Sequence, residues 1–178
     1  MDIRSLVLQG TDTLRKNQYP TGKVGSFDFN YVMRNKQLVV KSQARPSSGE
    51  SYSAYQSQIV FSGVGYSDVP SPDFPLTYNS PNGKIYLQKP TTRNTVQIRC
   101  SCKDDYFMWQ YPNKSKGALL GRFKPYVRKT TDRPPRNPGN VPGMCKHALA
   151  LVKNLFSMGV LQPDSQVQEY LSRPTRSI

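Results

Sequence analysis

The sequence predicts an α+β fold: a small β-rich domain with C-terminal helices and extended, irregular N-terminal segments. Three observations point there. Short apolar runs with strand-like alternation occupy the middle of the chain, at Gln58–Ser62, Lys84–Leu87 and Asn94–Arg99. From Met144 the pattern turns helical, with Ala148, Leu151, Val152, Leu155 and Met158 at three-four spacing. Elsewhere 15 Pro and 12 Gly among 178 residues interrupt any long element.

Taken in order, residues 1–50 alternate apolar patches with polar turns: Leu6-Val7-Leu8, Tyr19-Pro20-Thr21-Gly22, and Phe27-Asp28-Phe29-Asn30-Tyr31. No sustained helical period is read here. Val39 and Val40 suggest a short strand, and Ala44 to Gly49 a loop. A segment of this kind is expected to extend over a neighbouring subunit rather than to fold alone. Residues 69–84, rich in Pro and Ser, predict a long irregular connection that ends in a tight turn at Asn82-Gly83. The strand that follows at Asn94–Arg99 places Val96, Ile98 and Cys100 on one face.

Beyond Cys102 lies the aromatic run Tyr106-Phe107-Met108-Trp109-Gln110-Tyr111, read as core packing, with stacking on nucleobases as the alternative. Lys114 to Tyr126 is basic and punctuated by glycine, and Arg128 to Gly143 is a Pro-rich loop that something must hold in place. Pro142-Gly143 gives the helix a non-helical entrance, and Gly159 gives it a stop. A last short helix is expected over Pro163–Leu171, with Val167, Tyr170 and Leu171 on its packed side.

Against these elements stand the scarce residues. The chain has 3 Cys and 1 His. All four fall in one pattern, Cys100-Ser101-Cys102 and then Cys145-Lys146-His147. Zinc prefers four N and S ligands, and a structural site closes all four positions. One structural zinc ion per chain is therefore expected on Cys100, Cys102, Cys145 and His147. The alternative is buried free thiols and a surface imidazole. Cys100 and Cys102 converge if the strand continues through them or turns just beyond them. Cys145 and His147, two residues apart, need a first-turn or non-helical backbone.

Catalysis is not expected. A closed zinc shell leaves no position for water, the one histidine is already a ligand, and a cysteine nucleophile would lack a histidine base. Asp104 and Asp105 read as turn or solvent-facing residues. The odd number of cysteines argues against a closed disulfide framework, and no apolar stretch reaches the length of a signal peptide or a membrane span, so a soluble protein with available thiolates is expected.

Net charge is +14 at pH 7, from 25 Lys and Arg against 11 Asp and Glu, spread along the chain without a basic tail. Such a surface suits an acidic protein neighbour or nucleic acid. Arg128, Lys129, Arg133 and Arg136, beside the Pro-rich loop, are the candidate partner-contact patch; a merely solvated loop is the alternative. For nucleic acid, Lys103, Lys114, Lys116, Arg122 and Lys124 join the same arginines, with salt-dependent phosphate contacts and no base readout.

Cys-x-Cys at a strand end followed by Cys-x-His at a helix start resembles the SWIM zinc-binding module, here with a long interval between the ligand pairs. The resemblance covers residues 94–158 and implies a zinc-stapled strand-strand-helix unit that binds nucleic acid or protein. It implies a division into a β-rich, irregular subunit-contact region (1–93), the SWIM-like zinc unit (94–158), and a short helix and tail (159–178).

Three stretches are similar to small SWIM-like proteins of tailed bacteriophages: Val96 to Cys102, Pro134-Pro135-Arg136-Asn137-Pro138, and Pro142 to His147. That likeness implies a structural protein of the virion, made in the host cytoplasm and placed at the baseplate, tail or head-to-tail junction. Its partners would be other virion proteins in a hetero-oligomeric assembly, with no membrane. The alternative function is a zinc-dependent nucleic-acid-binding protein.

Overall fold

The computed structural model describes residues 1–9, 24–44, 54–127, 129, 135 and 137–172. Its main feature is a four-stranded antiparallel sheet made of β1 (Val24–Val32), β2 (Gln37–Ala44), β3 (Tyr55–Ser62) and β7 (Val96–Cys100), in that spatial order. A smaller sheet is inserted between β3 and β7, with β6 (Gly83–Leu87) between β4 (Tyr66–Ser67) and β5 (Leu76–Ser80). The fold is thus a mixed α+β domain with C-terminal helices.

Period-two alternation decides which face of the large sheet is buried. Register aligns Leu38 with Phe61 and Phe61 with Val96; Val40, Ile59 and Ile98 form the next row. These side chains point into the core, and Val40, Ile59 and Phe61 are fully buried. The third row is Ser42, Ser57 and Cys100, also buried. The core thus becomes polar at one end, where the sheet meets the cysteines. At this end the opposite face is polar, with Lys41, Gln43, Gln56, Gln58 and Arg99 around a cavity of about 410 Å³.

α3 (Lys146–Ser157) packs on the buried face of β3 and β7. Its apolar side is wide, and Ala148, Leu149, Ala150, Leu151, Val152 and Leu155 are all buried. Gly159 ends the helix as expected, at φ 67, where a side chain would be strained. α4 (Ser165–Ser172) starts later than expected. Asp164 is its cap, which leaves Pro163 outside the helix instead of in its first turn: the carboxylate accepts the Val167 amide at 3.2 Å and the Asp164 carbonyl accepts the Gln168 amide at 2.9 Å. Val167 and Leu171 are buried, and Tyr170 packs partly against the core.

The N-terminal half departs from the expected irregular chain. α1 (Ile3–Gln9) is a helix, capped by the Asp2 carboxylate at 2.7 Å from the Ser5 amide. Ile3, Leu6 and Val7 are buried at helical spacing, so the signal was present but only two turns long. β1 and β2 form a paired hairpin joined by the 3₁₀ turn Met33–Asn35; the strand expected at Val39 and Val40 is there, as part of the longer β2. Its side chains pack within this chain: Tyr31 is buried, and Phe27 and Phe29 pack on the core edge-to-face with each other, ring centroids 5.4 Å apart.

β5 lies inside the stretch read as irregular, its half-buried Leu76 and Tyr78 masked in sequence by flanking prolines. The turn to β6 uses Pro81-Asn82, with Gly83 at φ 128 paired to Ser80. One hydrophobic core draws on side chains from Ile3 to Leu171. Arg4 ties α1 to the start of α4, paired with Asp164 at 2.9 Å and hydrogen-bonded to Gln166.

Candidate metal centre

β7 carries Cys100 as its last residue. The ladder with β3 runs one step further, through the Ser101 amide to the Gln56 carbonyl and the Gln56 amide to Ser101 Oγ, both at 2.9 Å. The chain then turns at Cys102, so the two thiols converge at a strand end. Helical backbone follows at once, running from Lys103 through the π-helical turn Asp105–Trp109 into α2 (Gln110–Ser115).

Cys145 arrives from the other side as the cap residue of α3, in extended conformation, with His147 in the first turn. The ligand atoms of Cys100, Cys102, Cys145 and His147 all lie within 4.8 Å of one another, and all four residues are buried. A tetrahedral zinc with bonds of about 2.3 Å to sulfur needs sulfurs about 3.8 Å apart. The cluster reaches that geometry by contracting about 1 Å at most.

The hydrogen bonding suits thiolates. Cys102 Sγ accepts the Asp105 amide at 3.3 Å, Cys145 Sγ accepts the Ala148 amide at 3.5 Å, and Cys100 Sγ accepts the Ser57 hydroxyl at 3.2 Å. Each sulfur therefore faces a donor, and two of those donors are amides at the starts of helical segments, where backbone dipoles favour negative charge. His147 Nδ1 lies 3.8 Å from Cys100 Sγ, and Tyr55 stacks on the imidazole at 4.5 Å between centroids.

Charge balance points the same way. Hydrogen bonds from Cys102 and then Cys145 draw the Cys100 thiol far below its usual range, helped by His147 and Ser57. Its hydrogen bond to Cys100 pushes Cys102 up to about 12, and burial pushes Cys145 well above its usual value. Three sulfurs this close cannot all be thiolates unaided. A dication removes the conflict by supplying the charge that burial withholds from all three. The residues present therefore fit one structural zinc ion, and together they are a buried Cys3His module at a strand–helix junction.

Beside the cluster, burial pushes the Asp105 carboxyl up to about 7, against the hydrogen bond donated by Gln110 Nε2 at 3.1 Å. Asp105 is buried rather than solvent-facing, which corrects the expectation for that residue. A short helix aims it inward, a placement that the Asp104-Asp105 pair alone does not reveal.

The described end of the Pro-rich loop, residues 137–143, is held by two buried asparagines. Asn137 Nδ2 donates to the Met108 carbonyl at 3.2 Å and the Val141 carbonyl at 2.8 Å, while its Oδ1 accepts the Val141 amide at 3.0 Å. Asn113 embraces Gly143, donating to its carbonyl at 3.0 Å and accepting its amide at 3.1 Å. Gly143 in turn lies against the ring of Trp109, which is fully buried. Asn113, Asn137 and Trp109 thus set where Cys145 emerges. None carries a local sequence signal for that role, because each makes a contact across at least 29 residues of chain.

The aromatic run divides. Met108 and Trp109 are core, as expected, whereas Phe107 and Tyr111 are exposed. Of the proposed contact patch, Lys129 is exposed, and Arg128, Arg133 and Arg136 lie outside the described residues. Lys103, Lys114, Lys116, Arg122 and Lys124 are exposed. No helix among the described residues is long and apolar enough to cross a membrane. Compared with known proteins, the chain matches no family model, no curated protein and no solved structure.

Proposed function

We propose that this chain is a non-catalytic, zinc-stapled interaction module of the SWIM type and serves as a structural protein of a tailed-phage virion. The observation that carries the first part is the buried Cys3His cluster, which takes every thiol and the imidazole of the chain and joins a strand end to a helix start. Zinc held there supplies a rigid four-coordinate joint, with no side chain left over for nucleophilic or imidazole chemistry at the site.

The virion placement rests on the SWIM-like ligand pattern together with the phage-like stretches around Cys100, Pro134 and Cys145. Protein partners fit the large sheet, where β1 is nine residues long and, among the described residues, is paired only on its β2 side. An edge of that length offers backbone donors and acceptors for a neighbouring subunit's strand. Virion location also brings the protein to the baseplate, tail or head-to-tail junction, among other virion subunits.

Metal analysis of the purified protein should return about one zinc per chain, lost on Cys145→Ser or His147→Ala. An equally stable metal-free protein sinks the staple. The virion role is read separately, by mass spectrometry and density of purified particles; absence of the chain from the particle sinks that placement and leaves the metal result standing.

A further inference from the structure

The chain between the two ligand pairs carries an exposed aromatic and basic face. Phe107 and Tyr111 stand one helical turn apart, and the returning segment brings Phe123 and Tyr126 beside them. Phe107 and Tyr126 centroids are 4.6 Å apart, Tyr106 and Tyr126 6.0 Å, and Tyr111 and Phe123 6.2 Å. Lys114 Nζ sits 4.6 Å from the Phe123 centroid. Despite these contacts, Phe107 is 47%, Tyr111 58%, Tyr126 47% and Val127 81% exposed.

Core packing does not account for rings left this open. The face is held firmly from behind: Met108 and Trp109 anchor the helix in the core, and Ala118 to Leu120 hydrogen-bond to Ile98 of β7 at 2.8 and 3.0 Å. Zinc would fix both ends of the segment, through Cys102 and Cys145.

Charge decides between occupants. No acidic residue occurs between Tyr106 and Lys129, whereas Lys114, Lys116, Arg122 and Lys124 are interleaved with the rings and exposed. Protein interfaces are depleted of lysine around their aromatic anchors. Rings interleaved with exposed cations are the arrangement that grips a single strand, with bases stacked on π-faces and phosphates met by ammonium and guanidinium groups.

We propose that Phe107, Tyr111, Phe123 and Tyr126, flanked by Lys114, Lys116, Arg122 and Lys124, form a stacking platform for single-stranded nucleic acid. It reads no sequence, because every base has a π-face. It prefers single strands to duplex, whose bases are already stacked on one another. The platform depends on the zinc staple only for the anchoring of its ends, and it does not depend on the virion placement.

The test is fluorescence anisotropy of labelled oligothymidylate, and of a duplex of equal length, titrated with the zinc-loaded full chain at several salt concentrations. The single strand should bind more tightly than the duplex, with a salt slope of roughly 0.7 per phosphate contact. Phe107→Ala and Tyr126→Ala should each weaken binding on the order of 10-fold with the slope unchanged, and Tyr126→Phe should keep it. Lys124→Gln should lower the slope by about 0.7.

Absence of binding at about 50 mM salt, equal affinity for duplex, or indifference to the ring substitutions overturns the platform. Self-association lost on the same substitutions, without oligonucleotide binding, also overturns it and assigns the face to protein. Ultraviolet crosslinking of the unmodified chain needs no variant to fold: adducts should map to the four rings, and adducts confined elsewhere refute it. Zinc content is read alongside. Failure of the metal site then shows as metal-free protein, and failure of the platform as zinc-loaded protein that ignores the oligonucleotide.

Discussion

Gly143→Ala is the sharpest probe of how the metal centre is assembled. A Cβ at residue 143 would sit 2.4 Å from Trp109 Cζ3, 2.8 Å from Cε3 and 2.9 Å from Cη2. Carbon atoms pack best about 3.5–4.0 Å apart, so ring or backbone must retreat by about 1 Å. Neither yields easily. Trp109 is fully buried, and the Gly143 backbone is pinned on both its amide and its carbonyl by Asn113.

Overpacking of a core site costs about 1–3 kcal/mol, and the rigidity on both sides puts this substitution near the top of that range, about 3 kcal/mol. At roughly 2–4 °C per kcal/mol for a chain of this size, Tm should fall by about 6–12 °C. Thermal unfolding of the zinc-loaded protein, followed by circular dichroism and by the fluorescence of the single tryptophan, measures this directly. Gly139→Ala is the control, since its Cβ would meet Val141 at an ordinary 3.4 Å and its φ is unremarkable.

The decisive comparison is the same substitution in a Trp109→Leu background. Among the described residues Trp109 Nε1 has no hydrogen-bond partner, so removing the ring forfeits no side-chain hydrogen bond to any of them. With the obstacle gone, Gly143→Ala should become nearly neutral, a coupling at the upper end of the usual 0.5–3 kcal/mol for touching residues. An unchanged Tm for Gly143→Ala, or an equal loss in both backgrounds, would show that the ring does not set the path of the chain into Cys145.

Three further outcomes test other parts of the structure. Asn137→Ala removes two donated bonds and one accepted bond at a buried site and should destabilise by about 1–3 kcal/mol in urea unfolding; a loss below 0.5 kcal/mol would mean that the loop holds itself. Zinc uptake should release protons and tighten as pH rises, because ligands must be thiolates; pH-independent uptake in a weakly buffered indicator solution would contradict thiolate ligation.

At Asp164, burial alone pushes the carboxyl up, but hydrogen bonds from Thr92, the Val167 amide and Arg4 outweigh it and hold the group below its usual value. Its contribution is therefore complete above the unfolded value of about 3.9 and disappears as pH falls through the lower folded value. Asp164→Asn should cost more stability at about pH 7 than at an acid pH below the folded value. A difference of the same size at both pH values would refute the assignment.

The ligand set was legible because it is an inventory: with so few cysteines and one histidine, their pairing at a strand end and a helix start was readable from spacing alone. α3 was legible for the same reason, as its twelve residues carry enough turns for the helical period to stand out. α1 was not, although the Asp2 cap and the Ile3, Leu6 and Val7 spacing were there, because seven residues give the period too few repeats. The β1–β2 hairpin was hidden because alternating aromatics and polar residues read equally well as an arm over a neighbour. Only pairing with β3 shows which face is inside.

What composition and spacing decided, then, was the donor set, the basic charge and the helix that receives the second ligand pair, since all three are local or countable properties. Tertiary structure alone decided how those donors meet: Ser57 reaches Cys100 across the sheet, Asn113 seizes Gly143, Asn137 fastens its own loop to Met108, and Trp109 rests on Gly143. It also decided which rings of the aromatic run turn inward and which face solvent. A widened helical turn sets that orientation, and no strict helical or strand period in the sequence encodes it.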